Sequence, residues 1–161
     1  MKLTTLLDEG SILLDGNLPD KEALFRVIGE TLSTKEAGMS AAAVVASLAE
    51  REVQGTTFLG RGVAVPHALT STCTEIRLAL IRPARPVPYD VHGHQARLIL
   101  ALLAPSEDRD RYVRVLARIA RLCLSEDFVT SILLAHDAAE VLALVARSDE
   151  QQAGGHSGGR R

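Results

Sequence analysis

A run of apolar residues near the middle of the chain is the feature that most constrains the fold. Leu98–Pro105 contains no polar side chain, and the apolar character extends back to residue 96 apart from one arginine. Such a stretch is much shorter than the ~20 residues needed to span a bilayer. Residues 96–103 are typical of a central strand covered on both faces. Residues 76–81 partly alternate and form a second strand candidate.

Helical periodicity surrounds these strands. Asp20 can cap a helix whose apolar residues recur up to Leu32, and Ser40 can cap another over residues 41–52. Residues 112–123 carry an apolar face, and two shorter helices are predicted over residues 125–134 and 137–145. Helices on both sides of a buried sheet predict a single α/β layered domain. We place this domain at residues 1–148 and a disordered, Gly-rich tail at residues 149–161.

Composition excludes several function classes. The net charge of −2 offers no field for polyanions, and 3% aromatic residues without Trp give little surface for stacking bases, so we expect no nucleic-acid partner. Cys73 and Cys123 form no CxxC pair, which favours a reducing compartment. The N-terminus turns acidic too early for a signal peptide. We therefore expect a cytoplasmic protein without direct membrane insertion.

The chemistry of the chain concentrates before the central strand. The glycines at 55, 60 and 62 mark a loop that also carries the hydroxyls of Thr56 and Thr57, and a brief predicted strand ends at Pro66, directly before His67. A neutral imidazole is a nucleophile at cytoplasmic pH. The guanidinium of Arg51, the two hydroxyls and backbone amides suit a phosphoryl group beside it. Taken alone, the same residues also fit a packed histidine and ordinary turns.

Two other interpretations remain open from the residues. His92 and His94, with His67 and Cys73, supply ligand types for zinc, although a lone His-x-His is a weak signal and we expect no metal or other cofactor. A pure protein-binding module is the second alternative. Its surface would be a stripe of exposed arginines on one predicted helix, at positions 111, 114, 118 and 121.

One segment resembles a known family signature. Residues 51–67 read Arg-Glu-Val-Gln-Gly-Thr-Thr-Phe-Leu-Gly-Arg-Gly-Val-Ala-Val-Pro-His. This closely resembles the fructose/mannitol-type enzyme IIA domain of the phosphotransferase system across all seventeen positions. The likeness covers about residues 3 to 147, and the chain looks most like the free-standing nitrogen-regulatory type. It implies a mixed β-sheet flanked by helices.

The resemblance also implies roles and partners. His67 would take a phosphoryl group from an HPr-like phosphocarrier, while Arg51, Thr56 and Thr57 would line the phosphate. In regulation, the phosphorylation state would govern binding to a potassium transporter or a sensor kinase. In sugar transport, an enzyme IIB would accept the phosphate instead. A regulatory module that is not phosphorylated is a third possibility.

The chain departs from the family pattern at one position near the site. Family members usually carry a second histidine at the start of the helix after the Leu-Leu-x-Pro strand, and the alignment puts Tyr112 there. A tyrosine hydroxyl hydrogen-bonds a phosphate but cannot become a cation near neutral pH. The alternative is that Tyr112 packs in the core. On the first reading, phosphoryl transfer would be less efficient than in the family.

Overall fold

A computed structural model describes residues 1–154, which contain five helices and eight strands after two short 3₁₀ turns. The turns are Leu3–Thr5 and Glu9–Ser11. The helices are α1 (Lys21–Ser33), α2 (Ala41–Val53), α3 (Arg109–Cys123), α4 (Glu126–Leu134) and α5 (Ala138–Gly154). The strands are β1 (Ile12–Gly16), β2 (Phe58–Gly60), β3 (Val63–Ala64), β4 (His67–Thr70), β5 (Arg77–Pro83), β6 (Val87–Pro88), β7 (Gln95–Ala96) and β8 (Leu98–Pro105).

The predicted central strand, β8, is the centre of a mixed sheet. The strand order is β1-β5-β8-β3-β2, and β4 also pairs with β8 on the β3 side. β5 runs antiparallel to β8, whereas β3 and β4 run parallel to it. β1 runs parallel to β5, and β6 and β7 form a separate antiparallel pair. The α/β class and the mixed sheet expected from the sequence are confirmed.

Both faces of β8 are covered, as its continuous apolar sequence requires. Leu98, Leu100 and Leu102 face one core cluster, which includes the buried side chains of α3, α4 and α5. Ile99 and Leu103 alternate to the opposite face and pack with α1 and α2. The helices therefore form a layer on each side of the sheet.

The first two helices begin where their capping residues predict. The carboxylate of Asp20 accepts a hydrogen bond from the Ala23 N–H at 2.8 Å, and the Ser40 hydroxyl accepts one from the Ala43 N–H at 3.1 Å. Each contact satisfies an N–H that the first helical turn leaves without a partner. None of the helices described is both long and apolar enough to cross a membrane.

The last helix extends beyond the predicted domain boundary. The tail was expected to begin at residue 149, but α5 continues to Gly154. Asp149 is 2% exposed, and its carboxylate accepts hydrogen bonds from the backbone N–H groups of Leu3 and Thr4, both at 3.0 Å, and pairs with Arg118. These contacts hold the helix against the N-terminal 3₁₀ turn. The rest of the predicted tail, residues 155–161, lies outside the described residues.

Candidate active site

His67 lies at a break in the edge of the sheet beside β8. β3 and β4 both pair with β8, and Val65 and Pro66 separate them. Pro66 has no N–H to donate, but its carbonyl accepts a hydrogen bond from the Leu102 N–H at 2.9 Å. His67 is therefore the first residue of β4, where it pairs with Leu102. The break brings the imidazole to a half-buried position at the strand start.

A backbone hydrogen bond determines which nitrogen of the neutral His67 ring keeps its lone pair. The Nδ1 atom lies 2.6 Å from the carbonyl oxygen of Val65. A carbonyl oxygen only accepts hydrogen bonds, so Nδ1 carries the proton in the neutral ring. Nε2 then keeps its lone pair. In this tautomer the ring can act as a nucleophile only through Nε2.

The surroundings keep His67 neutral near physiological pH. Burial lowers the pKa of His67 below its ordinary value, and the positive charge of Arg51 lowers it further. The hydrogen bond to the Val65 carbonyl and the negative charge of Glu52 act in the opposite direction. Because the lowering effects dominate, His67 is neutral in most molecules at pH 7, with its single ring proton on Nδ1.

Arg51 and Tyr112 flank His67 from two different helices. Arg51 lies in the last turn of α2, and its guanidinium donates a hydrogen bond to the Gly55 carbonyl at 3.1 Å. The Tyr112 ring, from the first turn of α3, lies 6.0 Å from the His67 ring between centroids. Tyr112 is 9% exposed and packs within the core cluster on the α3 side of the sheet. It is therefore a packing residue that also contacts the His67 ring.

Thr57 lies in a buried polar cluster that the sequence did not reveal. Its hydroxyl is bonded to the Glu52 carboxylate and lies 2.7 Å from the Tyr89 hydroxyl. Glu52 also accepts hydrogen bonds from the Thr57 N–H at 3.2 Å and from Tyr89 at 3.0 Å, and pairs with Lys21 at 2.9 Å. Burial raises the pKa of Tyr89, which stays a neutral donor. The cluster fixes the loop that leads to His67.

The other predicted threonine is bonded in a different direction. The Thr56 hydroxyl donates to the Asp90 carboxylate at 2.9 Å and accepts from the Phe58 N–H at 3.2 Å. Asp90 lies in the turn between β6 and β7, so this contact ties that turn to the loop before His67. The hydroxyls of Thr56 and Thr57 are therefore both engaged within the protein.

Gly62 is required by a close contact inside the protein. Its φ is +79°, and a Cβ there would lie 2.6 Å from the Cγ of Arg97. Only glycine accommodates both the left-handed backbone and this contact. The preceding Arg61 pairs at 2.8 Å with Glu126 on the exposed surface. This glycine therefore brings the backbone close to an arginine side chain.

The histidines considered for zinc have other contacts. The His94 ring stacks on Phe58 at 4.5 Å between centroids, and its Nδ1 lies 2.8 Å from the Asp90 carboxylate. Cys73 is buried, and burial raises the pKa of its thiol to about 11. Within residues 1–154, no three His, Cys, Asp or Glu side chains converge on a point that suits a metal ion.

The match to a protein family fits this arrangement. Residues 5–148 match the family described as phosphoenolpyruvate-dependent sugar phosphotransferase system, EIIA 2. The chain belongs to this family. Enzyme IIA domains are the phosphoryl carriers of the phosphotransferase system, and the resemblance inferred from residues 51–67 is confirmed at the level of the family.

Relatives of this enzyme IIA chain differ in length. The chain is 33% identical over 110 residues to a nitrogen regulatory protein of Bradyrhizobium diazoefficiens, covering 68% of this chain and 72% of that protein. It is 24% identical over 151 residues to the fructose-specific EIIABC component of Bacillus subtilis. That match covers 93% of this chain but only 24% of the larger protein.

Solved structures share the enzyme IIA fold. The nitrogen regulatory protein IIA-Ntr of Neisseria meningitidis superposes with a TM-score of 0.83 at 30% identity, covering 89% of this chain and 98% of that one. The mannitol enzyme IIA of Escherichia coli, solved in complex with phosphorylated enzyme IIB, gives 0.73 at 21% identity and covers 88% and 97%. At that identity the second likeness establishes the fold alone.

Proposed function

We propose that this enzyme IIA chain is a phosphohistidine carrier that accepts a phosphoryl group on Nε2 of His67 from an HPr-like phosphocarrier. The observation that carries the proposal is the hydrogen bond between His67 Nδ1 and the Val65 carbonyl. It holds the proton on Nδ1 and leaves the Nε2 lone pair free to attack. Family membership supplies the reaction class, which makes the chain a phosphotransferase component.

The transfer step follows from this geometry. The Nε2 lone pair of His67 attacks the phosphorus, a new P–N bond forms, and the P–N bond to the donor histidine breaks. The bonding electron pair leaves with the donor ring. His67 becomes cationic because it still carries the Nδ1 proton, and the Val65 carbonyl 2.6 Å away stabilises that charge.

We assign the phosphate contacts to groups around the loop. Arg51 uses one guanidinium nitrogen on the Gly55 carbonyl, and the others offer donors to phosphate oxygens. Thr56 and Thr57 line the site through the backbone that their hydroxyl contacts hold in place. Tyr112, beside the ring, offers a neutral donor where the family usually has a second histidine. Onward transfer is expected to be slower for that reason.

A phosphorylation assay tests the proposal. The protein is incubated with phosphoenolpyruvate, enzyme I and either HPr or its nitrogen-branch counterpart, and intact mass is measured before and after mild acid. We expect an acid-labile gain of one phosphoryl group on the wild type and none on His67→Ala. Equal labelling of both proteins, or no labelling of a folded wild type, would contradict it.

We further propose a regulatory role of the nitrogen and potassium type, in the cytoplasm. It is supported by matches to two nitrogen regulatory proteins, at 33% and 30% identity. A potassium transporter or a sensor kinase would then read the phosphorylation state. Pull-down with the phosphorylated and unphosphorylated forms of the protein tests this role. Partners that bind both forms equally would count against it.

A sugar-transport role is the second candidate. It is favoured by the fructose-specific relative of Bacillus subtilis and by the fold shared with an enzyme IIA seen in complex with phosphorylated enzyme IIB. Transfer of label from His67 to an enzyme IIB would establish it. The third alternative is a binding module that is never phosphorylated, with the arginine stripe of α3 as its surface. It is weakened because two of the four arginines pair with carboxylates of the chain itself. Arg118 and Arg111 are engaged within the chain, by Asp149 and Asp108 respectively.

A further inference from the structure

The first turn of α3 faces His67 with several polar groups that have no partner. Tyr112 contacts the His67 ring, and Arg109 precedes it by three residues, so both lie on the same side of the helix. Arg109 is exposed and makes no salt bridge or side-chain hydrogen bond within residues 1–154. The Tyr112 hydroxyl has no hydrogen-bond partner there either, although the residue is only 9% exposed.

The start of α3 also lacks a cap. Asp108 occupies the capping position but makes no side-chain cap hydrogen bond, and its carboxylate lies 3.7 Å from the Arg111 guanidinium instead. Within the described chain, the backbone N–H groups of the first three helical residues consequently meet no acceptor. The other helices whose starts are described in detail, α1, α2 and α4, all have such a cap.

We infer that Arg109 is a second phosphate-binding arginine, which holds the phosphoryl group on His67 together with the Tyr112 hydroxyl and the open end of α3. This inference rests on the proposed phosphorylation of His67. Arg51 lies on α2 and Arg109 on α3, and the charges of both act on the Tyr112 hydroxyl beside the ring. A phosphoryl group between them meets a cation from each helix.

The electrostatics of Tyr112 support this placement. Burial raises the pKa of the Tyr112 hydroxyl, and the positive charges of Arg51 and Arg109 both act to lower it. The hydroxyl therefore lies within electrostatic reach of both arginines and remains a neutral donor at physiological pH.

The experiment uses a small phosphoryl donor, because a protein donor would mix phosphate binding with docking. Wild type, Arg109→Ala, Arg109→Lys and Arg114→Ala are incubated with phosphoramidate, and the formation and hydrolysis of phospho-His67 are followed by mass. Arg114 is the matched control, since it is exposed on α3 without a salt bridge in the described chain but projects away from Tyr112. Inorganic phosphate is titrated in parallel, with the NMR signals of His67 and Tyr112 as readout.

We expect Arg109→Ala to hydrolyse phospho-His67 about tenfold faster and to bind inorganic phosphate about tenfold more weakly, with partial recovery in Arg109→Lys. Arg114→Ala should match the wild type. Equal behaviour of Arg109→Ala and Arg114→Ala in both measurements overturns the inference. If the wild type takes no label but its phosphate binding depends on Arg109, the proposed function fails and only the contact between Arg109 and phosphate stands.

Discussion

Replacing Thr57 by valine tests whether its hydroxyl stabilises the fold or binds phosphate directly, two roles that the sequence did not distinguish. The side chain is 7% exposed, and its hydroxyl contacts the Glu52 carboxylate and the Tyr89 hydroxyl. Valine keeps the shape and removes the hydroxyl. Both hydroxyls donate to Glu52, so the Thr57 hydroxyl makes one hydrogen bond to a charged group, which contributes about 1.5–3 kcal/mol, while the added methyl group returns roughly 0.8 kcal/mol. The free energy of unfolding should therefore fall by about 1–2 kcal/mol.

Urea denaturation measures this loss, and Thr56→Val is the matched control. The Thr56 hydroxyl bonds to Asp90 in an exposed turn, so its removal should cost about 1 kcal/mol or less. Phosphorylation of His67 is assayed on both variants well below their unfolding midpoints. A Thr57→Val protein as stable as the wild type would refute the structural role. Full stability with a lost phosphorylation rate would identify the hydroxyl as a direct phosphate ligand.

Three further expectations concern titration, the α3 tyrosine and the C-terminal helix. The pKa of His67 is lowered, so its acceptor rate should still exceed half of its maximum at pH 6.5 and fall only under more acidic conditions; a midpoint above pH 6.5 in a pH–rate profile would contradict this. Tyr112→His adds a second group that titrates near neutrality, so the acid side of the same profile should become steeper, whereas Tyr112→Phe should leave its shape unchanged and hydrolyse phospho-His67 faster. Asp149→Asn should reduce the free energy of unfolding at pH 7 by about 3–5 kcal/mol, since it leaves Arg118 without its buried partner. Burial acts to raise the pKa of Asp149, but hydrogen bonds from Thr4, Leu3 and Arg118 hold it below its ordinary value; the stabilisation is therefore present above about pH 3.9 and lost below it, so urea denaturation at pH 3 should show a smaller difference between the two proteins.

The sequence predicted the elements whose periodicity is strong. The central strand predicted over residues 96–103 is β8, which begins and ends two residues later. The caps at Asp20 and Ser40 start α1 and α2 as expected. β1 was missed because Ile12–Gly16 offers only three apolar residues before Asp15, and its pairing partner β5 lies more than sixty residues away. The end of α5 was placed too early for a similar reason. Its last turns depend on the contact between Asp149 and the backbone at residues 3 and 4.

The site was predictable as a segment but not as a set of contacts. Residues 51–67 located the histidine, the arginine and the loop. Which oxygen or nitrogen each side chain meets depends on residues far away in the chain. The Thr57 hydroxyl meets Tyr89, 32 residues away, in a stretch that reads only as an irregular connection. Glu52, next to Arg51 at the predicted helix end, was the one nearby charged residue that could have pointed to this polar cluster.

The charged and polar groups around His67 act differently on its neutral ring and on the cationic ring that phosphorylation would produce. Before phosphorylation, burial and Arg51 favour the neutral form, which is the nucleophile. After the proposed phosphorylation at Nε2 the ring would be cationic. The Val65 carbonyl and Glu52, which oppose the lowering of the pKa of His67 beforehand, would then stabilise the positive charge. The positive charge of Arg51, which within residues 1–154 has only the Gly55 carbonyl as a hydrogen-bond partner beforehand, would then also pair with the negatively charged phosphoryl group. Arg51, Glu52 and the Val65 carbonyl thus favour accepting a phosphoryl group on Nε2 without holding a proton there.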